Sequence, residues 1–373
     1  MKLKLIFYLI IIYLWINIYI YIPKKNNSKT RIFMLKKGRD YLNICIEYKN
    51  ILTSYYFFKK PKISVIIPIY NCQDSIKYTI SSIQNQKMKD YEIIMVNDCS
   101  KDKSKEIIDN YSKKDGRIII INNNKNMGTL YSRNIGVLSA RGKFIFALDN
   151  DDLLFNRKIF WELYKEGINN NFDIIGFKTI YGKNYNSSIN YMFDEPFILN
   201  KKSKIVFQPE LKFLSIKNKD IHIWGKLIKK EIYVKAINLI GIKRYSVYLC
   251  ITEDDIMVFM LYNSAKSYKY LPIYGLFHLV SKKTTSFTLP KNHIFFANIF
   301  YSEIIFDFTK NDYYEKNFII KFALNLLKRI NKHKKLSNNN RLYLKRVVIK
   351  MMNYNYINNE LKLFIRKNFK EFV

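Results

Sequence analysis

The sequence is poor in the residues that build cross-linked or repetitive proteins. Its 373 residues include only 4 cysteines, 11 glycines and 7 prolines. The cysteines are Cys45, Cys72, Cys99 and Cys250, and none of them forms a Cys-x-x-Cys pair. This spacing argues against a zinc ribbon, a thioredoxin-type site and a disulfide scaffold. The low glycine and proline content excludes collagen-like and linker-like architectures.

Acidic residues are also scarce: the chain has 30 of them against 64 lysines and arginines, which leaves a formal net charge of +34. A charge of this size attracts anions such as nucleic acids, acidic lipid head groups and phosphorylated substrates. Lysine, asparagine, isoleucine and tyrosine are abundant together, which is also what an AT-rich coding sequence produces. The charge alone therefore does not identify a function. The apolar fraction of 49% does exclude a disordered chain.

One long apolar run occurs at the amino terminus. It extends from Leu5 to Ile22, is interrupted only by Asn17, and ends at Pro23. As a helix it would be about 27 Å long, close to the ~30 Å hydrocarbon core of a bilayer. We predict an uncleaved single-pass anchor over residues 1–23, with a cleaved signal peptide as the alternative.

The basic residues after this run predict its orientation. Residues 24–61 are rich in lysine and show no clean periodicity, and we predict that they form a stalk. Positive-inside counting places the part of the chain after the anchor on the cytosolic side of the membrane. A lumenal orientation is the alternative.

The character of the sequence changes after Pro61. Short β-branched runs alternate with segments whose apolar residues recur at helical spacing. The predicted strands are Ile63–Pro68, Tyr91–Val96, Ile118–Ile121 and Lys143–Leu148. The predicted helices are Ser75–Gln86, Lys103–Tyr111 and Leu130–Ala140. This alternation with short links predicts an α/β domain with a mostly parallel central sheet.

Polar residues follow three of these strands, at the end of the sheet where ligands bind in such folds. They are Tyr70 and Asn71, then Asn97 and Asp98, then Asp149, Asp151 and Asp152. Three acids within four residues repel one another unless a cation lies among them, so they indicate a metal site. Capping of the following helices by Asp98, Asp102 or Asp152 is the alternative.

Four blocks of the sequence, in this order, resemble family 2 glycosyltransferases of the GT-A fold. The blocks are Ile63–Asn71, Val96–Asp102, Asn126–Gly136 and Leu148–Leu153. Two weaker blocks, Ile223–Lys230 and Thr252–Asp254, extend the resemblance. It implies a GT-A-type nucleotide-binding domain over residues 62–290. Cys99 departs from the family pattern, in which glycine is usual at this position, and puts the turn after Asp98 in doubt.

The resemblance implies a nucleotide site and a metal site. The implied nucleotide-binding residues are Pro68, Tyr70, Asn71, Asp98, Arg133 and Asp149. Asp98 would accept a hydrogen bond from a uracil ring, and Arg133 would contact the nucleotide. Asp149 and Asp151 would form a DxD pair that holds Mg²⁺ or Mn²⁺. The ion would neutralise charge on the departing nucleoside diphosphate.

Inverting transfer also needs a base on the face opposite the leaving group. The resemblance implies Asp254 as this base, with Glu253 and Asp255 as the alternatives. Trp224 and Lys226 are expected on the acceptor side, although plain packing also explains the tryptophan. His278 is either a metal or phosphate ligand or a structural histidine.

The segment after residue 290 combines apolar residues at helical spacing with many lysines and arginines. We predict that residues 291–373 form a basic helical extension. It is either an amphipathic surface lying on an anionic membrane or a cap on the preceding domain.

Together these patterns predict a metal-dependent, inverting glycosyltransferase at a membrane. It would move a sugar from a nucleotide-sugar donor, in particular a UDP-sugar, to a hydroxyl of a glycan or lipid acceptor. No nucleic-acid partner is expected. The alternatives are a basic membrane-associated protein that binds polyanions or nucleic acids, and a non-catalytic relative of the transferases.

Overall fold

The structure is a computed structural model. It describes residues 60–182, 203–207, 222–241 and 253–280, together with a few positions near the carboxyl terminus, which are 345, 348–349, 359–368 and 370. The predicted anchor over residues 1–23 lies outside the described residues, as do all but the last two residues of the predicted stalk. Within the described parts, no helix combines the length and the apolar character that a bilayer crossing requires.

The first half of the sheet contains the four strands that the sequence predicts. They are β1 (Ile63–Ile69), β2 (Tyr91–Asn97), β3 (Ile118–Asn122) and β4 (Phe144–Ala147). These strands pair in parallel in the order β3-β2-β1-β4. Every residue of β1, β2 and β4 is buried, as expected of strands that are covered on both faces.

The predicted helices connect these strands. They are α1 (Ile76–Gln84), α2 (Ser104–Lys114) and α3 (Thr129–Ser139). Helix α3 lies very close to β1, because a Cβ atom added at Gly136 would stand 2.6 Å from Cγ2 of Ile66. The glycine in the block Asn126–Gly136 is therefore required by packing.

The second half of the sheet is mixed. Its elements are β5 (Leu153–Leu154), α4 (Ile159–Asn169), β6 (Ile174–Gly182), β7 (Lys204–Phe207), β8 (Lys226–Lys229), α5 (Lys230–Ile240), α6 (Glu253–Ser264) and β9 (Ser267–Leu279). In the described part of the chain the strand order is β3-β2-β1-β4-β8-β6-β9-β5, and β7 also pairs with β9.

The expectation of a mostly parallel sheet is wrong for this second half. Strand β8 runs antiparallel to both β4 and β6, and β9 is antiparallel to β5 and β7 while parallel to β6. Strand direction depends on how the chain returns to the sheet. The local pattern of a four-residue strand such as β8 carries no signal for it.

Helices cover both faces of the sheet. On one face Ile80 of α1, Ile108 of α2 and Phe160 of α4 share a core with Val65 and Ile67 of β1. On the other face α3 packs against β1 and β2, and α5 and α6 pack beside it. The result is a three-layer α/β domain in which the carboxyl ends of β1, β2 and β4 open at one edge.

Little of the predicted carboxyl-terminal extension falls within the described residues. Helix α7 (Asn359–Asn368) is present where the sequence predicts helix, and it carries Arg366 and Lys367 in its last turn. The remaining predicted helices of residues 291–373 lie outside the described residues. The choice between a membrane surface and a cap stays a prediction.

Candidate active site

The acidic segment after β4 lies at the carboxyl edge of the sheet. Asp149 and Asp151 are partly exposed, whereas Asp152 is fully buried. Asn150 fixes the segment in place: its side chain donates to the carbonyl of Pro68, and its own carbonyl accepts from the hydroxyls of Ser75 and Thr79. Sequence reasoning missed this role of Asn150. A polar residue between two aspartates after a buried strand is the only local signal for it.

Arg133 joins two of the predicted site carboxylates. Its guanidinium, which is 1% exposed, donates to Asp149 and to Asp254, each at 2.9 Å. These two acids are 105 residues apart in sequence, and the fold brings them to one cation. The sequence interpretation gave Arg133 to the nucleotide, whereas the structure places its side chain inside the protein, between the acids. The charges of Asp254 and Asp149 raise the pKa of Arg133 against the effect of burial.

Asp254, the candidate base, lies at the start of α6 together with its two alternatives. One of its oxygens accepts from Arg133 and the other accepts from the backbone N–H of Ile223 at 3.2 Å. Burial raises the pKa of Asp254, and the Arg133 charge opposes this. Burial and the Asp254 charge raise the pKa of Glu253 to about 8 and that of Asp255 to about 7. Of the three acids, Asp254 is the one that accepts a hydrogen bond from Arg133.

Asp98 holds the loop that precedes α3. Its carboxylate accepts hydrogen bonds from the side chain of Asn123 at 2.7 Å and from the backbone N–H groups of Met127 and Gly128 at 2.8 Å. The sequence also allows Asp98 to cap a helix. In the structure its carboxylate instead fixes the loop before α3. Asp102 does accept from the N–H of Ser104, the first residue of α2.

The turn after β1 lies beside this loop in the sheet order and is exposed. Tyr70 is 43% exposed. Asn71 has a φ of 46° and accepts from the backbone N–H of Lys101 at 2.8 Å. Cys99 has a φ of 61°, a region that favours glycine. The residue that departs from the family pattern thus keeps the backbone conformation that a glycine would adopt.

Asp152, which is buried, pairs at the same edge with His278, which is partly buried. His278 Nδ1 lies 2.8 Å from Asp152 Oδ1. Burial lowers the pKa of His278, but the hydrogen bond and charge of Asp152 outweigh it and raise that pKa to about 9. Asp152 therefore does not cap a helix. Of the two readings of His278, the structure favours a structural histidine that is paired with a carboxylate.

Trp224 stacks between two histidine rings. Its ring centroid lies 4.2 Å from that of His222 and 4.7 Å from that of His278, both at an interplanar angle of 15°. Tyr181 packs edge-on against Trp224 and His278. Because Trp224 is only 5% exposed, little of its ring is available to an acceptor.

Lys226 is buried as well, at the start of β8. Its ammonium donates to the carbonyl of His222 and so closes the turn over residues 222–226. The sequence placed Lys226 on the acceptor side. In the structure it supports the turn that carries Trp224.

The acids at this edge carry negative charge that the protein compensates only in part. Burial and the neighbouring charge of Asp149 raise the pKa of Asp151 to about 6. Oδ2 of Asp152 is buried without a hydrogen-bond partner among the described residues. Among these residues no three acidic, histidine or cysteine side chains are grouped closely enough to hold a metal ion. The carboxylates of Asp149 and Asp151 would suit a hard cation that takes one or two oxygens from the protein and the remaining ones from a bound molecule or from water.

The fold and this edge define a class of protein: a three-layer α/β domain with acidic side chains at the carboxyl edge of its sheet. Residues 64–233 match the model of the family described as glycosyl transferase family 2. The chain belongs to this family through that segment. The recognition made from the four sequence blocks is thereby confirmed.

Curated relatives match part of the chain. It is 40% identical over 116 residues to the uncharacterized glycosyltransferase EpsJ of Bacillus subtilis, covering 31% of this chain and 33% of that protein. It is 34% identical over 203 residues to the uncharacterized glycosyltransferase MJ1057 of Methanocaldococcus jannaschii, covering 52% and 66%. It is 42% identical over 97 residues to the GalNAc(5)-diNAcBac-PP-undecaprenol beta-1,3-glucosyltransferase of Campylobacter jejuni, covering 26% and 31%. The chain thus spans about a third to two thirds of the length of these relatives.

A solved structure has the same fold. The S. aureus TarS fragment 1-349 in complex with UDP-GlcNAc superposes with a TM-score of 0.55 at 15% identity, covering 81% of this chain and 83% of that one. The same fragment in complex with UDP gives a TM-score of 0.51. At this identity the similarity establishes the fold alone.

Proposed function

We propose that this protein transfers a sugar from a nucleotide-sugar donor to a hydroxyl group of a glycan or lipid-linked acceptor, with inversion at the anomeric carbon. The observation that carries the proposal is the ion-pair bridge from Asp149 through Arg133 to Asp254. It joins the acidic segment after β4 to the acid-rich start of α6. Family membership supports the reaction class.

Asp254 acts as the general base in this proposal. The acceptor oxygen attacks the anomeric carbon while the bond from that carbon to the phosphate oxygen breaks. The acceptor proton passes to the carboxylate of Asp254, and the nucleoside diphosphate leaves with the bonding electrons. Arg133 is a positioning residue: it holds Asp254 by a hydrogen bond, and its charge opposes the rise in the pKa of Asp254 that burial causes.

Asp151 and Asp149 are the proposed ligands of Mn²⁺ or Mg²⁺. A divalent ion bound there supplies charge neutralisation at the departing diphosphate. The raised pKa of Asp151 supports the assignment, because burial and the charge of Asp149 disfavour its ionised form and a bound cation would offset both effects.

The donor is proposed to be a UDP-sugar. The proposal is supported by the TarS structures, which are complexes with UDP and with UDP-GlcNAc. We assign the nucleoside to the segment Pro68–Asn71, in which Tyr70 and Asn71 are exposed, and to the loop that Asp98 anchors. Asp98 then shapes the pocket through the loop, in addition to any contact with the base. The predicted membrane anchor over residues 1–23, with a cytosolic catalytic domain, remains part of the proposal.

The test is release of nucleoside diphosphate by the full chain from a panel of nucleotide sugars, with Mn²⁺, Mg²⁺ or a chelator. We expect one UDP-sugar to be consumed only when metal is present. Asp151→Asn should abolish this release, while the control Asp109→Asn, on the exposed face of α2, should not. If no donor is consumed and none raises the melting temperature with metal present, the proposal is wrong.

A further inference from the structure

A cavity lies at the opposite end of the sheet from the acids. It has a volume of about 870 Å³, and its lining includes Lys60, Arg141, Lys143, Lys230, Lys235 and Leu239. We call it the basic groove. It is formed where the chain enters β4 and where β8 passes into α5, because Phe144 of β4 pairs with Lys229 of β8.

The basic groove is separate from the candidate active site. Lys143 precedes β4, and Asp149 follows it six residues later, which corresponds to about 20 Å along an extended strand. Strand β8 is antiparallel to β4. Trp224, which precedes β8, therefore lies at the end of the sheet that carries Asp149, and Lys229, which ends β8, lies at the end that carries the groove. A ligand in the groove therefore does not occupy the donor site.

The cations of the groove differ in how far the protein already compensates them. Lys229 pairs with Asp173 at 2.7 Å and Arg141 pairs with Glu92 at 2.7 Å, so both are partly neutralised. Lys60, Lys143 and Lys235 are exposed. Among the described residues that line the groove, Glu231 is the one acid. The groove therefore has a positive rim that an anion can approach from solvent.

The lining is not only charged. Ala140, Val234 and Leu239 contribute apolar surface between the cations, and Leu239 is 37% exposed. Next along the same end, the Lys62 ammonium lies 5.7 Å from the ring of Trp161, which is 44% exposed. Exposed tryptophan and leucine beside lysine are typical of surfaces that sit at the head-group level of a bilayer.

The chain itself leads from this end toward a predicted membrane segment. Lys60 lines the groove, and the sequence before it contains the basic segment 24–61 and the apolar run Leu5–Ile22. A soluble polyanion such as RNA requires the cations but not the apolar floor. An acidic phospholipid has a phosphate next to hydrocarbon chains, so it can contact both the cations and the apolar side chains of the groove.

We propose that the basic groove binds the head groups of acidic phospholipids. It would thereby dock on an anionic bilayer the amino end of the sheet, which is the end at which β1, β2 and β4 begin. The active site then opens on the side away from the lipid, about 20 Å or more above the bilayer surface. This inference does not depend on sugar transfer, because it concerns binding alone.

The test is co-sedimentation of the full chain with vesicles of phosphatidylcholine mixed with phosphatidylglycerol, compared with phosphatidylcholine alone. Lys143→Glu combined with Lys235→Glu should weaken partition to the acidic vesicles about tenfold or more, since each basic residue near such a surface contributes about fivefold. The matched control is Lys101→Glu with Lys125→Glu, two exposed lysines that follow β2 and β3 at the opposite end of the sheet and give the same change in net charge. Equal loss in both double variants would overturn the proposal.

A second pair of variants separates a bilayer from a soluble polyanion. Leu239→Ser should weaken vesicle binding severalfold and leave the binding of single-stranded RNA unchanged. Ile180→Ser on β6, which is 39% exposed and lies at the opposite end of the sheet, is the control and should change neither. Binding of RNA that is as tight as vesicle binding, with the same loss in the lysine variants and none for Leu239→Ser, would contradict the lipid assignment. Thermal melting of each variant verifies that it is folded.

Discussion

The two ends of the sheet differ in the charges that lie around their acidic side chains. At the carboxyl end, burial and like charges raise the pKa of Asp151 to about 6 and that of Asp255 to about 7. At the amino end, acids are matched with cations. Glu92 accepts from Ser64 and from Arg141, and Asp173 pairs with Lys229.

This difference separates residues that serve binding and chemistry from residues that serve folding. A protein gains stability when each buried acid has its cation, and the amino end follows that rule. At the carboxyl end Asp151 and Asp255 each lie near another acid, whose charge helps to raise the pKa. Sites that break local rules in this way are where function is expected.

The largest effect is expected at the carboxyl end, in activity. Asp254→Asn removes the proposed base and should lower sugar transfer about 1,000-fold. Its melting temperature should stay near that of the wild type, because Arg133 retains Asp149 as a partner. The measurement is the rate of transfer once the donor is known, together with thermal melting.

The two neighbouring acids provide the controls for this variant. Glu253→Gln and Asp255→Asn are similarly close in sequence but do not receive the hydrogen bond from Arg133 that Asp254 does. Both should reduce transfer less than tenfold. A greater loss for Asp255→Asn than for Asp254→Asn would assign the base to Asp255 instead.

The next effect is expected at the amino end, in stability. Asp173→Ala removes the partner of the buried Lys229 ammonium and the acceptor for the N–H of Lys266. The free energy of unfolding should fall by about 3–5 kcal/mol, measured by urea denaturation. Asp109→Ala, which breaks an exposed pair with Lys105, should cost less than about 0.5 kcal/mol. If both variants lost the same free energy of unfolding, the pair of Asp173 with Lys229 would stabilise the protein no more than an exposed ion pair does.

The pH dependence of stability should also differ between the two ends. The pKa of Asp255 is raised from 3.8 to about 7, so the folded protein binds this proton more tightly than the unfolded chain does. Its contribution is full below about pH 4 and is lost as the pH rises through 7. Asp255→Asn should remove about 1–3 kcal/mol of the decline in stability between pH 4 and pH 8.

Asp115, which precedes β3 at the amino end, should behave in the reverse sense. Burial raises its pKa, but hydrogen bonds from Arg117 and Gln84 outweigh burial and lower it below 3.8. Its stabilising contribution is present above pH 4 and is lost as the pH falls through the lowered value. Asp115→Asn should therefore flatten only the acid limb of the stability curve, and a change in the alkaline limb would contradict this.

The smallest effect is expected at Cys99. Its φ of 61° lies in the left-handed region, where a side chain is strained. Cys99→Gly should relieve this strain and raise the free energy of unfolding by about 0.5 kcal/mol, after the extra freedom of glycine in the unfolded chain is counted. Cys99→Ala is the control and should not stabilise, because alanine keeps the strain. A gain with alanine equal to that with glycine would show that the thiol, and not the backbone, is responsible.

The first half of the domain could be predicted closely from the sequence. Isoleucine-rich runs such as Ile63–Ile69 are buried on both faces, and the helices between them carry a clear period. The acids that follow β4 could be located for the same reason, since a parallel strand brings the residue after it to the ligand edge. Local patterns sufficed because these strands are joined by short connections.

The second half could not be predicted in this way. Strand β9 covers Ser267–Leu279 and contains lysine, tyrosine, proline and glycine, so it lacks a strict alternation. The stack of Trp224 between two histidines depends on how β8 and β9 are placed by non-local pairing. Likewise, no local pattern shows that Arg133 faces Asp254, which lies 121 residues further along the chain.

That separation of 121 residues has a consequence for synthesis of the protein. At typical translation rates, the ribosome needs roughly 6–24 s to make the chain between Arg133 and Asp254. During this interval the first half of the sheet can form while its central arginine lacks one of its two counter-ions. The nascent protein thus has the acidic segment after β4 before it has Asp254, and the candidate site is complete only when helix α6 has been made.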